Sequence, residues 1–242
     1  MTRKYPASPV EIAAHVKDLG FAICPSAIDP SLLAAFEGAL ADVEGSTNVR
    51  SRGSVYAIRN LLTAAPAVRK LAEAEPLIAL ARSVLGDTAR PVRGLLFDKR
   101  PEANWLVPWH QDLTICVKER REIEGFGPWS VKAGVVHVQP PARVLEEMVA
   151  LRIHLDDAPA DNGALRVLPG THLLGRLSPA KITTLAKEIQ VETCASPRGS
   201  VLILRPLLLH ASSASAKPAR RRVIHIEYSS GALPGGLHWH ED

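Results

Sequence analysis

The sequence predicts a mainly β protein with flanking helices. An antiparallel sandwich or jelly roll is expected over residues 91–230, with a helical layer from residues 1–90 packed on it, in one domain spanning 1–242. Three observations point there. After Pro91 the pattern changes from helical periodicity to short apolar runs between Gly, Pro and Asp turns. The 19 Pro and 16 Gly disfavour a helical bundle. The chain has no internal repeat, low-complexity tract or linker that would separate its two halves.

In order, Pro9–Leu19 carries Val10, Ile12, Ala13 and Val16 on a helical stripe and stops at Gly20. Phe21–Ile23 reads as a short strand. Asp29-Pro30-Ser31 is a helix start, Asp capping and Pro in the first turn, with the helix running through Leu32, Leu33, Phe36 and Leu40 towards Gly45. A helical pair over Ala64–Leu85, broken near Pro76, closes at Gly86. Strands are expected at Val92–Phe97, Trp109–Val117, Gly134–Val138, Met148–Leu155, Ala164–Leu168, Ser200–Leu204, Leu208–Ser212 and Arg222–Tyr228. Short strands so spaced suit a sandwich or jelly roll. In this half only Pro179–Glu188 looks helical.

With 46% hydrophobic and 22% charged residues the chain can bury a core. A formal charge of +4 is a mild bias, and the Lys118–Glu122 and Arg220–Arg222 stretches lack the interleaved aromatics of a base-stacking surface, so a nucleic-acid partner is not expected. No apolar run approaches a membrane span, and no apolar segment follows Met1–Pro6, so neither a membrane partner nor a leader is expected. Cys24, Cys116 and Cys194 are odd in number and far apart, which points to free thiols in a reducing cytoplasm.

The chemistry concentrates around His110-Gln111-Asp112. On a strand, i and i+2 share a face, so imidazole and carboxylate converge. A third ligand is needed from elsewhere, and His210 is the best candidate. Two His and one carboxylate on one face form the arrangement that holds non-haem Fe(II) for dioxygen chemistry. Arg221 follows His210 across a turn near Ala216-Lys217-Pro218, and a hairpin there would bring its guanidinium to the site. Ser212 shares the His210 face. An arginine and a hydroxyl together suit the carboxylate of a dicarboxylate co-substrate that chelates the metal by its other end, namely 2-oxoglutarate.

The chain resembles the phytanoyl-CoA dioxygenase family of Fe(II)/2-oxoglutarate oxygenases from about Gly20 to Tyr228. The resemblance is carried by Phe97-Asp98-Lys99, Trp109-His110-Gln111-Asp112, the Asp161–His172 stretch, His210-Ala211-Ser212, Arg221-Arg222 and Tyr228. It implies a double-stranded β-helix of the jelly-roll, cupin-like kind. It implies His110, Asp112 and His210 as iron ligands, and Arg221 and Ser212 as the holders of the distal carboxylate. It further implies Trp129 as a co-substrate contact, with Arg59 as the candidate for a basic contact before the first core strand. Relatives often carry Asn where this chain has Ser215, which bears on the turn and on no ligand. Asp112 argues against the halide-binding variant, in which a small residue replaces the carboxylate.

The implied activity is hydroxylation of a C–H bond of a small molecule, using Fe(II), 2-oxoglutarate and dioxygen. The alternatives are a non-catalytic metal-binding jelly-roll sensor or interaction module, and a cupin-like isomerase or hydrolase using another metal. His137, His154, His172 and His225 read as structural or pocket-lining, and His238 and His240 as part of a frayed terminus. Strand alternation sets Arg221 on the face opposite Arg220 and Arg222 without saying which face is inside; the resemblance favours Arg221. Lys99 reads as a pocket-mouth cation or as a stem covering Trp105, and Arg152 as an ion-pair partner of Asp156-Asp157.

Overall fold

The structure is a computed structural model that describes residues 5–44, 49–51, 55–99, 106–214 and 219–241. Helix α1 (Pro9–Leu19) opens with a reciprocal cap: Glu11 N donates to Ser8 Oγ and the Glu11 carboxylate accepts from Ser8 N. It ends at Gly20, whose φ of 86° is left-handed and whose missing Cβ would lie 2.6 Å from His172 Nδ1, so glycine is required twice over. Strand β1 (Phe21–Cys24) follows, then α2 (Pro30–Glu44), where Asp29 accepts from Leu32 N at 2.9 Å as the sequence predicts.

Next come β2 (Val49–Ser51) and β3 (Val55–Arg59), then α3 (Leu61–Ala64), α4 (Pro66–Ala72) and α5 (Leu77–Leu85). The two strands depart from the mainly helical reading of residues 1–90; Val49, Val55 and Ile58 are β-branched residues that pair readily at a sheet edge. The second half contains β4 (Arg90–Lys99), β5 (Val107–His110), β6 (Ile115–Val117), β7 (Trp129–Lys132), β8 (Val135–Val138), α6 (Ala142–Glu146), β9 (Met148–His154) and β10 (Leu165–Val167). It closes with α7 (Pro179–Glu188), β11 (Glu192–Cys194), β12 (Val201–Leu204), β13 (His210–Ser212) and β14 (Arg221–Ser229).

The larger sheet has the order β1-β12-β9-β14-β4-β3-β2, the smaller the order β11-β10-β13-β5, and β6-β8-β7 form a third. Among the described residues every strand pair within them is antiparallel. This is a jelly-roll core with helices flanking the larger sheet. Alternation divides that sheet cleanly. Leu96, Leu151, Ile153, Ile203, Ile224, Ile226 and Tyr228 join one buried cluster with Val16, Phe36 and Leu61 from the helices. The opposite faces of β1, β9 and β12 supply Phe21, Ile23, Ala150, Leu202 and Leu204 to a cluster shared with Leu165 and Val167 of the smaller sheet. Burying such side chains contributes roughly 1.5–3 kcal/mol each before entropy is set against it.

Three local expectations are corrected. The strand expected over Trp109–Val117 is divided into β5 and β6, because Asp112 N donates to the Pro206 carbonyl and the Gln111 amide bonds Gly175, Leu207 and Leu177, drawing this segment out of the sheet. The His210 and Arg221 strands form no hairpin: β13 pairs with β10 and β5, whereas β14 pairs with β9 and β4, so the chain crosses between sheets. The turn at 216–218 lies outside the described residues, as do Ser215 and Trp105.

Nor is the C-terminal segment frayed. Leu237, Trp239 and Glu241 alternate inwards and are buried, and Glu241 accepts from Thr63 N at 2.9 Å and Gly94 N at 2.8 Å. Replacing Glu241 with Ala leaves two enclosed amides without acceptors and is expected to lower stability by about 1–3 kcal/mol in urea denaturation. Replacing exposed His238 with Ala should leave the midpoint unchanged.

Candidate metal centre and cavity

His110 and His210 face each other as register partners of β5 and β13, with ring centroids 4.2 Å apart. Each ring is oriented from behind by its own strand: His110 Nδ1 donates to the Pro108 carbonyl at 2.8 Å and His210 Nδ1 to the Leu208 carbonyl at 2.9 Å. A carbonyl can only accept, so the proton sits on Nδ1 and each Nε2 keeps its lone pair for a metal. Asp112 lies beyond the end of β5, not on it, yet its oxygens come within 3.8 Å of His110 Nε2 and 3.6 Å of His210 Nε2. One ligand atom from each of the three lies within 4.8 Å of the others.

Protonation states suit that role. Burial pushes the His210 imidazole down to about 4, so it is neutral at physiological pH despite the nearby Asp112. Enclosure on its own would raise the Asp112 carboxyl, but His210, His225, His110 and Arg93 together hold it below its ordinary value, ionised. Two imidazoles and a carboxylate are the donor set of a non-haem iron site, and the residues present therefore fit that metal.

The three side chains line a cavity of about 180 Å³ between the two sheets. At its other end stand Ser212, Lys99 and Arg221. Ser212 is on β13 with His210, and Lys99 and Arg221 are direct register partners on β4 and β14. Lys99 Nζ donates to Ser212 Oγ at 3.2 Å. Burial, with Arg221 and Arg152 adding repulsion, pushes the Lys99 ammonium down to about 8. Burial, then Arg152, likewise brings Arg221 down to about 10. Arg221 Nε has no hydrogen-bond partner. The inside face left open by alternation is thus settled: Arg221 enters the cavity, whereas Arg222 is bound to Asp156 at 2.7 Å and Glu37 at 2.8 Å, and Arg220 to Asp98 at 3.1 Å.

Trp129 and Arg59 lie outside this cavity. Trp129 is on β7, packed against the cluster of Phe126, Leu145 and Trp239, with the Arg120 guanidinium 5.8 Å from its ring centroid. Arg59 is on β3 beside Leu95 of β4 and is not among the cavity-lining residues. Trp109 packs outwards against Leu168, Leu185 and Leu209.

Sequence reasoning missed one floor residue pair and misassigned a third residue. Arg93 and Glu227 form an ion pair at 2.9 Å beneath the metal residues, and His225 Nε2 lies 3.5 Å from Glu227. Arg152 has no bond to Asp156 or Asp157; it enters the cavity, donates to His225 Nδ1 at 3.2 Å and lies 5.4 Å from the centroid of Phe97. The signal was present as alternation: Arg93, Leu95, Phe97 and Lys99 on β4, and Arg221, Val223, His225 and Glu227 on β14, all face inwards. His154, beyond Arg152 on the same strand face, is buried with neither ring nitrogen bonded, and burial pushes its imidazole down to about 3.

Comparison with known proteins bears on the fold and the family. No curated protein matches the chain. Solved structures do. AviO1 from Streptomyces viridochromogenes Tue57 shares 24% identity over 96% of this chain and 99% of its own, with a TM-score of 0.69. EctD from S. alaskensis, solved with 2-oxoglutarate and 5-hydroxyectoine, shares 18% over 95% of this chain and 78% of its own, with a TM-score of 0.70. SnoK, a non-heme alpha ketoglutarate dependent carbocyclase from nogalamycin biosynthesis, shares 16% over 93% and 87%, with a TM-score of 0.69. Identities this low establish a common fold. The family model described as phytanoyl-CoA dioxygenase (PhyH) matches residues 17–223, and the chain belongs to that family.

Proposed function

We propose that the protein is an Fe(II)- and 2-oxoglutarate-dependent dioxygenase that hydroxylates a C–H bond of a small molecule. The observation that carries this reading is one cavity with a two-histidine, one-carboxylate cluster at one end and Ser212, Lys99 and Arg221 at the other. His110, Asp112 and His210 would hold the iron, whose coordination sphere they leave partly open. When bound, iron(II) supplies the activation of dioxygen, with 2-oxoglutarate as the reductant, so that R–H, 2-oxoglutarate and O2 become R–OH, succinate and CO2.

The chain's own residues bind and orient. Arg221 offers a planar fork of donors to the distal carboxylate, Ser212 a hydroxyl and Lys99 an ammonium. The Pro108 and Leu208 carbonyls keep the metal-binding imidazoles in the required tautomer. The walls of Phe97, Val107, Leu165 and Val223 limit water around the reacting groups. Trp129 and Arg59 receive no role.

The whole chain is read as one domain acting in the cytoplasm, without nucleic-acid or membrane partners. Free, buried Cys24, Cys116 and Cys194 support that compartment, and burial pushes the thiols of Cys24 and Cys116 up to about 11 and about 12, leaving them inert. Among the described residues no helix is long and apolar enough to cross a membrane.

Iron-loaded protein should bind 2-oxoglutarate in calorimetry and convert it to succinate with suitable small molecules; metal binding without either overturns the reading and favours the non-catalytic sensor. His210→Ala should remove stoichiometric iron, measured by elemental analysis, and bring turnover to background. Arg221→Ala should weaken 2-oxoglutarate binding by about 10–100-fold, the loss of charge-assisted hydrogen bonds, with iron content retained. The Lys99 ammonium is charged below pH 8 and neutral above it. Affinity for the dianion should therefore fall by about threefold to tenfold between pH 7 and pH 9. In Lys99→Met it should be weaker at pH 7 and flat across that interval.

A further inference from the structure

We propose that Arg152 is the anchor for a carboxylate on the primary substrate, so that the enzyme acts on an organic acid. This deepens the reading above and rests on it.

Arg152 lies on the cavity face of β9, register partner of His225 on β14. The Phe97 ring lies beneath its guanidinium. Arginine has only donors, so His225 Nδ1 accepts from it, which puts the imidazole proton on Nε2, facing Glu227. Glu227 is itself tied to Arg93. A chain of polar contacts along the cavity floor thus sets the direction of Arg152. Its Nε has no partner, and it forms no ion pair among the described residues.

The carboxylates that might neutralise it are occupied. Asp156 is held by Arg222 at 2.7 Å, Asp157 accepts from Arg198 N at 2.7 Å, and Glu227 belongs to Arg93. Asp112 stands among the metal ligands. The distal carboxylate of the co-substrate already has Arg221, Lys99 and Ser212. Arg152 is additional to that set.

Charge accounting leads to the same conclusion. With Arg93 and Glu227 cancelling, the cavity presents Lys99, Arg152 and Arg221 against Asp112. The dianionic co-substrate offsets the protein's surplus, but a divalent ion restores a positive one. An enclosed surplus is unfavourable until an anion enters. An arginine 5.4 Å from an aromatic ring centroid and with its Nε unpaired is suited to a planar carboxylate in two parallel hydrogen bonds.

The test is calorimetry under anaerobic conditions, on protein saturated with iron(II) and 2-oxoglutarate. The probes are benzoate, phenylacetate, cyclohexanecarboxylate and hexanoate, each beside its primary amide. Acids should bind at least about tenfold more tightly than amides in the wild type. Arg152→Gln should abolish that preference while 2-oxoglutarate affinity stays within about threefold of wild type, and Arg152→Lys should retain part of it. Binding indifferent to charge, or no acid bound by the 2-oxoglutarate complex, overturns the proposal. If Arg152→Gln weakens 2-oxoglutarate as much as Arg221→Gln does, Arg152 serves the co-substrate and the proposal falls while the dioxygenase reading stands. If the wild type fails to bind 2-oxoglutarate, that reading fails instead. Because the acid–amide comparison is made in the wild type, it survives a variant that does not fold.

Discussion

Strand β14 has to satisfy two opposite environments along one stretch of backbone, and the rest of the molecule is arranged around that demand. Its outer face presents Ile224, Ile226 and Tyr228 to the helices, where the tyrosine hydroxyl finds the Ala72 carbonyl at 2.8 Å and loses no hydrogen bond on burial. Its inner face presents Arg221, His225 and Glu227 to a cavity largely shielded from water. Between β9 and β4 the strand has no free edge, so both faces are held in register by backbone bonds on each side. A slip by one position would bury the charges in the helical core and turn the apolar set into the cavity.

Each end of the cavity handles charge differently. Near the metal residues, the Arg93–Glu227 pair and its contact with His225 compensate charge inside the protein, leaving Asp112 and the His110 and His210 imidazoles as the groups on offer. At the far end Arg221 and Lys99 are brought together as register partners, an arrangement of like charges that costs stability; burial, then Arg221 and Arg152, holds down Lys99, and burial, then Arg152, holds down Arg221. Such repulsion persists in a folded protein where ligand charge relieves it. The fold bears this cost at the cavity because the outer face of the sheet and the helices supply an extensive apolar cluster.

Much of this was legible beforehand. Helix α1 carries its stop signal in Gly20 and α2 its start signal in Asp29-Pro30, and most core strands sit where apolar runs meet turn residues. The metal triad was legible as residue types and order, though for a partly wrong reason: Asp112 converges on His110 from a segment drawn out of the sheet by Gln111 and the Pro206 carbonyl, not by alternation along one strand. Arg221 reaches the cavity across the sandwich and not around a hairpin. Trp129 and Arg59 matched by residue type and approximate spacing; Trp129 sits on the third sheet away from the cavity, and Arg59 lies beside cavity-lining Leu95 without itself lining the cavity. Arg152 was assigned to its nearest carboxylates in sequence, yet these are taken by Arg222 and Arg198.

The sequence by itself determined the kind of fold, the three side chains that converge at the candidate metal centre, and a serine suited to a carboxylate. These depend on local periodicity and residue chemistry, which a linear pattern records. Only the tertiary structure decided which face of β14 is inside, which of three consecutive arginines enters the cavity, and that Arg152 joins it without a carboxylate partner. Those outcomes depend on pairings between strands distant in sequence, such as Arg152 with His225 and Arg221 with Lys99. Alternation specifies that neighbours point apart; only the packing of a second sheet on one side and helices on the other specifies which direction is inward.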